Sequence, residues 1–96
     1  MLPNGSISPL PFPASVQGWF IASAADSTGG NRAFALGQFD DASTGGIVLH
    51  VSNNASTTAG TASSLNIHKI GAQVRVENKL GAATDVTITG SYTLPT

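Results

Sequence analysis

The segments AQVRVEN and DVTITGSYTL, residues 72–78 and 85–94, alternate apolar and polar side chains residue by residue. In an extended chain successive side chains leave on opposite faces, so a period of two gives one face to bury and one to wet. Val74 and Val76 oppose Gln73, Arg75 and Glu77, and Val86 and Ile88 oppose Thr87 and Thr89. The β-branched content fits the pleated surface of a sheet. KLGAAT between the two predicts a β-hairpin with a longer loop, and Pro95 stops the last strand.

Four earlier runs read the same way. QGWFIASA (17–24) places Trp19 and Ile21 on one face, and RAFALGQF (32–39) places Phe34 and Leu36 there. Gly37 marks a bulge or a close backbone approach. IVLHV (47–51) sets Ile47, Leu49 and Val51 against Val48 and His50, and LNIHKI (65–70) sets Leu65, Ile67 and Lys69 against Asn66, His68 and Ile70. DSTGGN and DDASTGG are turn clusters, and SNNASTTAGTASS (52–64) reads as an exposed loop or flexible tip. No helical period is sustained, although DDAST or GAAT could hold a single turn. Turn punctuation recurs every 8–12 residues or so, which is the pattern of a small antiparallel β-sandwich or barrel. The expectation is all-β, about six strands, with Trp19, Ile21, Phe34, Leu36, Ile47, Leu49, Val51, Leu65, Ile67, Val74, Val76, Val86 and Ile88 in the core.

The N-terminus departs from this pattern. Pro3, Pro9, Pro11 and Pro13 lack amide hydrogens, fix their own φ and push their predecessors to extended angles. Residues 1–16 therefore read as an extended Pro-rich arm preceding a β-domain over residues 17–96. Leu10 and Phe12 are large apolar side chains on that arm and need a surface to bury on, in this domain or a neighbour.

Charge narrows the function classes. Charged residues make up 9% of the 96, with a net charge of −1, against about 25% charged in an ordinary soluble domain. Arg32, Lys69, Arg75 and Lys79 are scattered, so phosphate neutralisation has little to work with and no nucleic-acid partner is expected. No apolar run approaches the roughly 20 residues of a membrane span. The chain starts with Met and shows no signal-peptide pattern, which points to synthesis in the cytoplasm. Without a signal peptide, the sequons Asn4-Gly5-Ser6 and Asn54-Ala55-Ser56 carry no weight. Cysteine is absent, so no disulfide staples this small core, and oligomerisation is the alternative support.

No catalytic or cofactor motif stands out. His50 and His68 are too few for a structural zinc site, which wants about four ligands. Asp26, Asp40 and Asp41 lie in Gly-rich turns and suit Asx-turns better than calcium, whose spaced acidic pattern is missing. Glu77, the sole glutamate, sits on an outward strand position, so a paired-carboxylate site has no candidates. There is no G-x-S-x-G elbow, and Gly29-Gly30 and Gly45-Gly46 lack the phosphate-loop lysine. The expectation is a non-enzyme without metal or cofactor. Of the adjacent aromatics, Trp19 is assigned to the core and Phe20 to the opposite face, as an interface or ligand-contacting ring; Tyr92 is a further candidate.

A small, β-rich, cysteine-free chain with weakly charged strands, a Pro-rich apolar arm and one long polar loop resembles small bacteriophage virion proteins: head decoration or cement proteins, and short fibre or spike domains. The resemblance runs from the arm to VRVEN…DVTITGSYT. It implies a homotrimer in the virion, made in the host cytoplasm, that reinforces a capsid without catalysis. It also implies that Leu10 and Phe12, pre-extended by Pro9, Pro11 and Pro13, anchor the arm on a major capsid or other virion protein. The alternative is a carbohydrate- or receptor-binding β-sandwich from a tail fibre or adhesin, which needs an exposed aromatic in a groove.

Overall fold

The computed structural model describes residues 1–26, 31–41 and 46–93. The described chain is all-β, in two four-stranded sheets. The strands are β1 (Ile7–Pro9), β2 (Gln17–Ala25), β3 (Arg32–Phe39), β4 (Ile47–Asn53), β5 (Ala55–Ser56), β6 (Leu65–Ile70), β7 (Gln73–Asn78) and β8 (Asp85–Thr93). One sheet runs β1-β7-β6-β5 and the other β4-β3-β2-β8. All six expected runs are strands; the two additions are the short β1 and β5. Every pair is antiparallel except β5–β6, which is parallel. The middles of the DSTGGN and DDASTGG turns, with Gly29-Gly30 and Gly45, and the stop at Pro95 lie outside the described residues.

Residues from both sheets share one apolar cluster: Phe20, Ala22, Ala24, Ala33, Ala35 and Phe39 from β2 and β3, with Leu65, Ile67, Val74 and Val76 from β6 and β7. Ile47, Leu49, Val86 and Ile88 pack against it. Trp19, Ile21, Phe34, Leu36 and Val51 correct the expected core. In β2 and β3 both faces are apolar, so alternation alone leaves the choice open. Small alanines line the inner face while Phe20 and Phe39 fill it, and the larger aliphatic and aromatic set turns outward. Val51 turns outward for a different reason. The β3–β4 register shifts between Leu36 and Gly37, leaving His50 as the extra residue, so the parity of β4 reverses beyond it. Gly37 sits at that shift, and a Cβ there would lie 2.8 Å from both the Phe20 ring and the Val48 carbonyl.

β7 and β8 do not form the expected hairpin. They belong to different sheets, and residues 79–84 cross between them. Burial drives the crossing: Leu80 joins the core, Thr84 is fully buried, and Thr84 exchanges backbone hydrogen bonds with Leu2. Asn78 sets its start. Its Nδ2 donates to the carbonyls of Leu2 and Ala82, and its Oδ1 accepts from the Leu80 amide.

The N-terminal segment is part of the same fold, so a boundary after residue 16 is not a structural one. β1 pairs with β7, and the amides of Leu2, Gly5, Leu10 and Ser15 donate to Thr84, Asn78, Val74 and Ala72. Leu10, Phe12 and Val16 belong to the core cluster. Pro3, Pro9, Pro11 and Pro13 are exposed. Pro9 ends an edge strand, where a missing donor costs nothing in the ladder and discourages a further strand from pairing.

Candidate functional site

In an antiparallel pair, residues directly opposite each other share a face. The register of β4-β3-β2 therefore lays out the outer surface of that sheet in rows: Val48–Gln38–Trp19, Val51–Leu36–Ile21 and Asn53–Phe34–Ser23. Six apolar side chains stand together there. Val48 is 57% exposed, Val51 48%, Trp19 43% and Phe34 39%, with Ile21 and Leu36 half-buried between them. Next to Val51, His50 Nε2 meets Gln38 Oε1 at 2.7 Å. The β8 column beside them is polar, with Thr87, Thr89 and Ser91 opposite Ser23, Ile21 and Trp19. Among the described residues, the charged groups in these rows are confined to one end: Arg32 and Asp85 flank Ala25. A compact apolar patch of this kind is the type of surface through which proteins associate.

The residues expected to form the site lie elsewhere. Leu10 and Phe12 are 3% and 7% exposed and point into this domain's own core, so they are not available as anchors for a partner. Pro9, Pro11 and Pro13 carry the chain past the rim that these two side chains fill. Phe20 is fully buried, which corrects its assignment as an interface aromatic. It shares its face with Ala22 and Ala24 and faces the Phe39 ring at 6.3 Å. Trp19 is the exposed ring of the pair. Parity in β2 was the missed signal: the alanines at positions 22 and 24 share the side of Phe20, and a thin inner layer favours small residues. Tyr92 is partly exposed and meets Phe12 edge-on at 6.2 Å.

Most of the polar groups singled out by the sequence have structural partners, although the buried His68 Nδ1 makes no hydrogen bond. His50 lies on the outer surface of the β4-β3-β2-β8 sheet and His68 on that of the other sheet, so the two rings do not share a site. Lys69 follows the inward side of β6 and reaches the rim, where its Nζ donates to the Asp40 carbonyl and lies 3.3 Å from its carboxylate. Asp26 accepts from Asn31 Nδ2 at 2.7 Å across its turn.

The stretch 52–64 is largely exposed, as expected, but it does not project as a tip. Residues 57–61 fold over the outer surface of β6 and β7 and bury Asn66, His68 and Glu77. Glu77 Oε1 accepts from the Gly60 amide at 2.7 Å and from Asn66 Nδ2 at 2.9 Å. Asn66 Nδ2 also donates to the Thr61 carbonyl. The Asn66 hydrogen bond, followed by that from Gly60, holds the Glu77 carboxyl below its ordinary range, with His68 and Lys79 adding to the effect against the cost of burial. Glu77 thus closes the loop as a hydrogen-bond acceptor.

No known protein family, curated protein or solved structure matches the chain.

Proposed function

We propose that the protein is a non-catalytic structural subunit of a virion, of the head-decoration or cement type, that acts by packing against other protein copies. The observation that carries this reading is the apolar patch of Trp19, Ile21, Phe34, Leu36, Val48 and Val51 on an open sheet of a sparsely charged chain. A lone subunit would leave that patch in water; a subunit in a symmetric assembly buries it. Its partners are further copies of itself and a major capsid or other virion protein. Docking falls to the outer sheet, because the N-terminal anchors Leu10 and Phe12 are occupied inside the domain. The test is to probe gradient-purified particles of the encoding phage with an antibody against the protein. Stoichiometric signal in the particle fraction is expected; protein present in the lysate and absent from particles rejects the reading.

The second reading, a carbohydrate- or receptor-binding module, is favoured by one observation. Trp19 lines a shallow depression with Gln17, Gln38 and Asp40, an exposed ring beside polar groups as sugar stacking requires. Binding on a glycan array that is lost in Trp19→Ala, with no particle association, would favour this module over the subunit.

A further inference from the structure

We infer that the free edge of β8 pairs antiparallel with β8 of a second copy of this chain, about a two-fold axis through Thr89 perpendicular to the sheet. The inference rests on the structural-subunit reading and names how two such subunits join.

An edge strand presents a row of unpaired amides and carbonyls, and sheets blunt such edges with short strands, prolines, bulges or charges. Three of the four edge strands here carry one of these devices. β1 has three residues and ends at Pro9, β5 has two residues, and β4 carries the bulge at His50. β8 carries none past Asp85, its first residue. It runs nine residues in unbroken register with β2, and Val86–Thr93 contains no charge and no proline. Among the described residues, β2 is its one ladder partner. The bridge between Leu2 and Thr84 closes the edge just before β8, so a symmetric pair runs over Val86–Tyr92 of both copies.

The side chains of β8 fit a second β8. With the axis at Thr89, that residue faces its own copy, Thr87 faces the partner's Ser91, Ile88 the partner's Gly90 and Val86 the partner's Tyr92. Thr87, Thr89 and Ser91 stand on the outer face, opposite Ser23, Ile21 and Trp19 of β2, so hydroxyls meet hydroxyls there. On the inner face a valine meets an aromatic ring and an isoleucine meets a residue with no side chain. Thr–Thr, Thr–Ser and aromatic–β-branched pairs are favoured cross-strand combinations. A slot lined by Leu2, Leu10 and Val76 opens beside Val86 and Ile88. The partner's Tyr92, a residue 44% exposed in the single copy, stands at its mouth. Moving the axis to Ile88 or Gly90 sets that residue against its own copy and loses the Val86–Tyr92 pair. Alternate residues turn N–H and C=O away from β2, so the paired stretch adds about six to eight backbone hydrogen bonds. The two Asp85 residues lie about 26 Å apart at about 3.3 Å per residue, well beyond the screening length of about 8–10 Å. One edge buries less than the roughly 1,000 Å² of a permanent interface, so the pair is a weak one. The joined sheet holds β4-β3-β2-β8 of each copy and sets both apolar patches on one side, ready for a further virion protein.

The experiment uses the full chain in analytical ultracentrifugation with two single variants, Thr89→Lys and Thr89→Asp. The wild type is expected to pass from monomer to dimer with a dissociation constant of about 10–100 μM, as a small interface allows. Each variant sets like charges face to face on the axis, which should raise that constant about tenfold or more. Position 89 is exposed and faces outward, so circular dichroism should show both variants folded. An equimolar mixture is expected to recover a heterodimer, with lysine opposite aspartate on the axis. Thr89→Arg with Thr89→Glu repeats the test should either first variant fail to fold. In the wild type, amide hydrogen exchange should slow at alternate residues of Val86–Tyr92 as the protein is concentrated. A wild type that stays monomeric at about 1 mM, ten times the upper figure for a small interface, overturns the inference. So does a trimer, a dimer indifferent to Thr89→Lys, or a mixture no more associated than its components. Protection of β8 found only in purified particles also overturns it and gives the edge to another virion protein. A monomer that still enters virions overturns the pairing and leaves the structural-subunit reading intact. A dimer that never enters virions does the reverse.

Discussion

The ring of Phe12 lies on that of Phe39, their centroids 5.1 Å apart and their planes 30° from parallel. This contact ties the N-terminal segment to β3, in the opposite sheet from the one β1 joins. Space for it comes from Gly90 in β8, where a Cβ would stand 2.8 Å from the end of the Phe12 ring and 2.3 Å from the Trp19 carbonyl. Phe12→Ala should therefore cost about 3–5 kcal/mol of stability, the range for truncating a buried phenylalanine. Deleting residues 2–13 should leave no cooperative transition, since Leu2, Leu10 and Phe12 go together with the edge strand. Urea titration followed by circular dichroism checks both. A deletion variant with an unchanged midpoint would show the segment to be a detachable arm.

Strand positions were legible because turns punctuate the sequence and each run is long enough to show its period. Facing was legible only where one side of the strand is polar. Val74, Val76, Val86 and Ile88 lie inward as the alternation requires, because Gln73, Arg75, Thr87 and Thr89 cannot compete for the core. In β2 and β3 the competition is between Trp, Ile, Phe and Leu on one side and Phe and Ala on the other, and size misleads. The winning side, Phe20 and Phe39 with the alanines, packs in one cluster with Leu10, Phe12 and Val16 and the inward residues of β6 and β7. The same cause hides most of the apolar patch, because Trp19, Ile21, Phe34 and Leu36 read as core; Val51 joins them through the register shift in β4, and Val48 alone reads outward from the sequence. The sheet change between β7 and β8 was hidden because a hairpin and a crossover of this length carry similar turn residues. It depends on Asn78 hydrogen-bonding to Leu2, a partner 76 positions away.

Asn78 is fully buried, and its side chain serves three backbone groups, two in the turn that follows it and one 76 positions away. Asn78→Ala strands the carbonyls of Leu2 and Ala82 and the amide of Leu80. With about 1–3 kcal/mol for each buried group left unpaired, partly relieved by water, a loss of about 2–4 kcal/mol is expected. Asn78→Asp keeps the acceptor for Leu80 but turns a donor to two carbonyls into an anion facing them, so it should be no better than alanine. Thermal melts of the pair decide this. A benign aspartate would mean that the Leu80 contact alone matters.

Glu77 gives the stability an acid limb. Its folded pKa lies below the ordinary value of 4.5, so folding favours the ionised form. That contribution is fully present above about pH 4.5 and is lost as pH falls through the lowered folded value. Glu77→Gln retains a carbonyl oxygen to accept from Asn66 and Gly60 but removes the titration. The variant should be less stable than the wild type at pH 7, and the difference should shrink as pH is lowered through this range. Melting temperatures from pH 7 to pH 3 measure it. A difference independent of pH would show that the carboxylate contributes shape alone.

Trp19 and Phe20 test the facing of β2 directly, because adjacent residues on a strand cannot share a face. Phe20 is fully buried against Phe39, so Phe20→Ala should cost about 3–5 kcal/mol. Trp19 stands on the outer surface, so Trp19→Ala should leave the stability of the isolated chain within about 1 kcal/mol. The sequence contains one tryptophan, so intrinsic fluorescence reports this face alone. At low concentration the emission should be red-shifted and readily quenched by acrylamide. At concentrations where the protein associates through this face it should move to the blue and lose its quenching. Emission that is blue and protected at every concentration, with Trp19→Ala unfolding the chain, would place Trp19 in the core and reverse the facing of β2. Emission that stays red at every concentration while the protein associates would keep the facing and move the interface elsewhere.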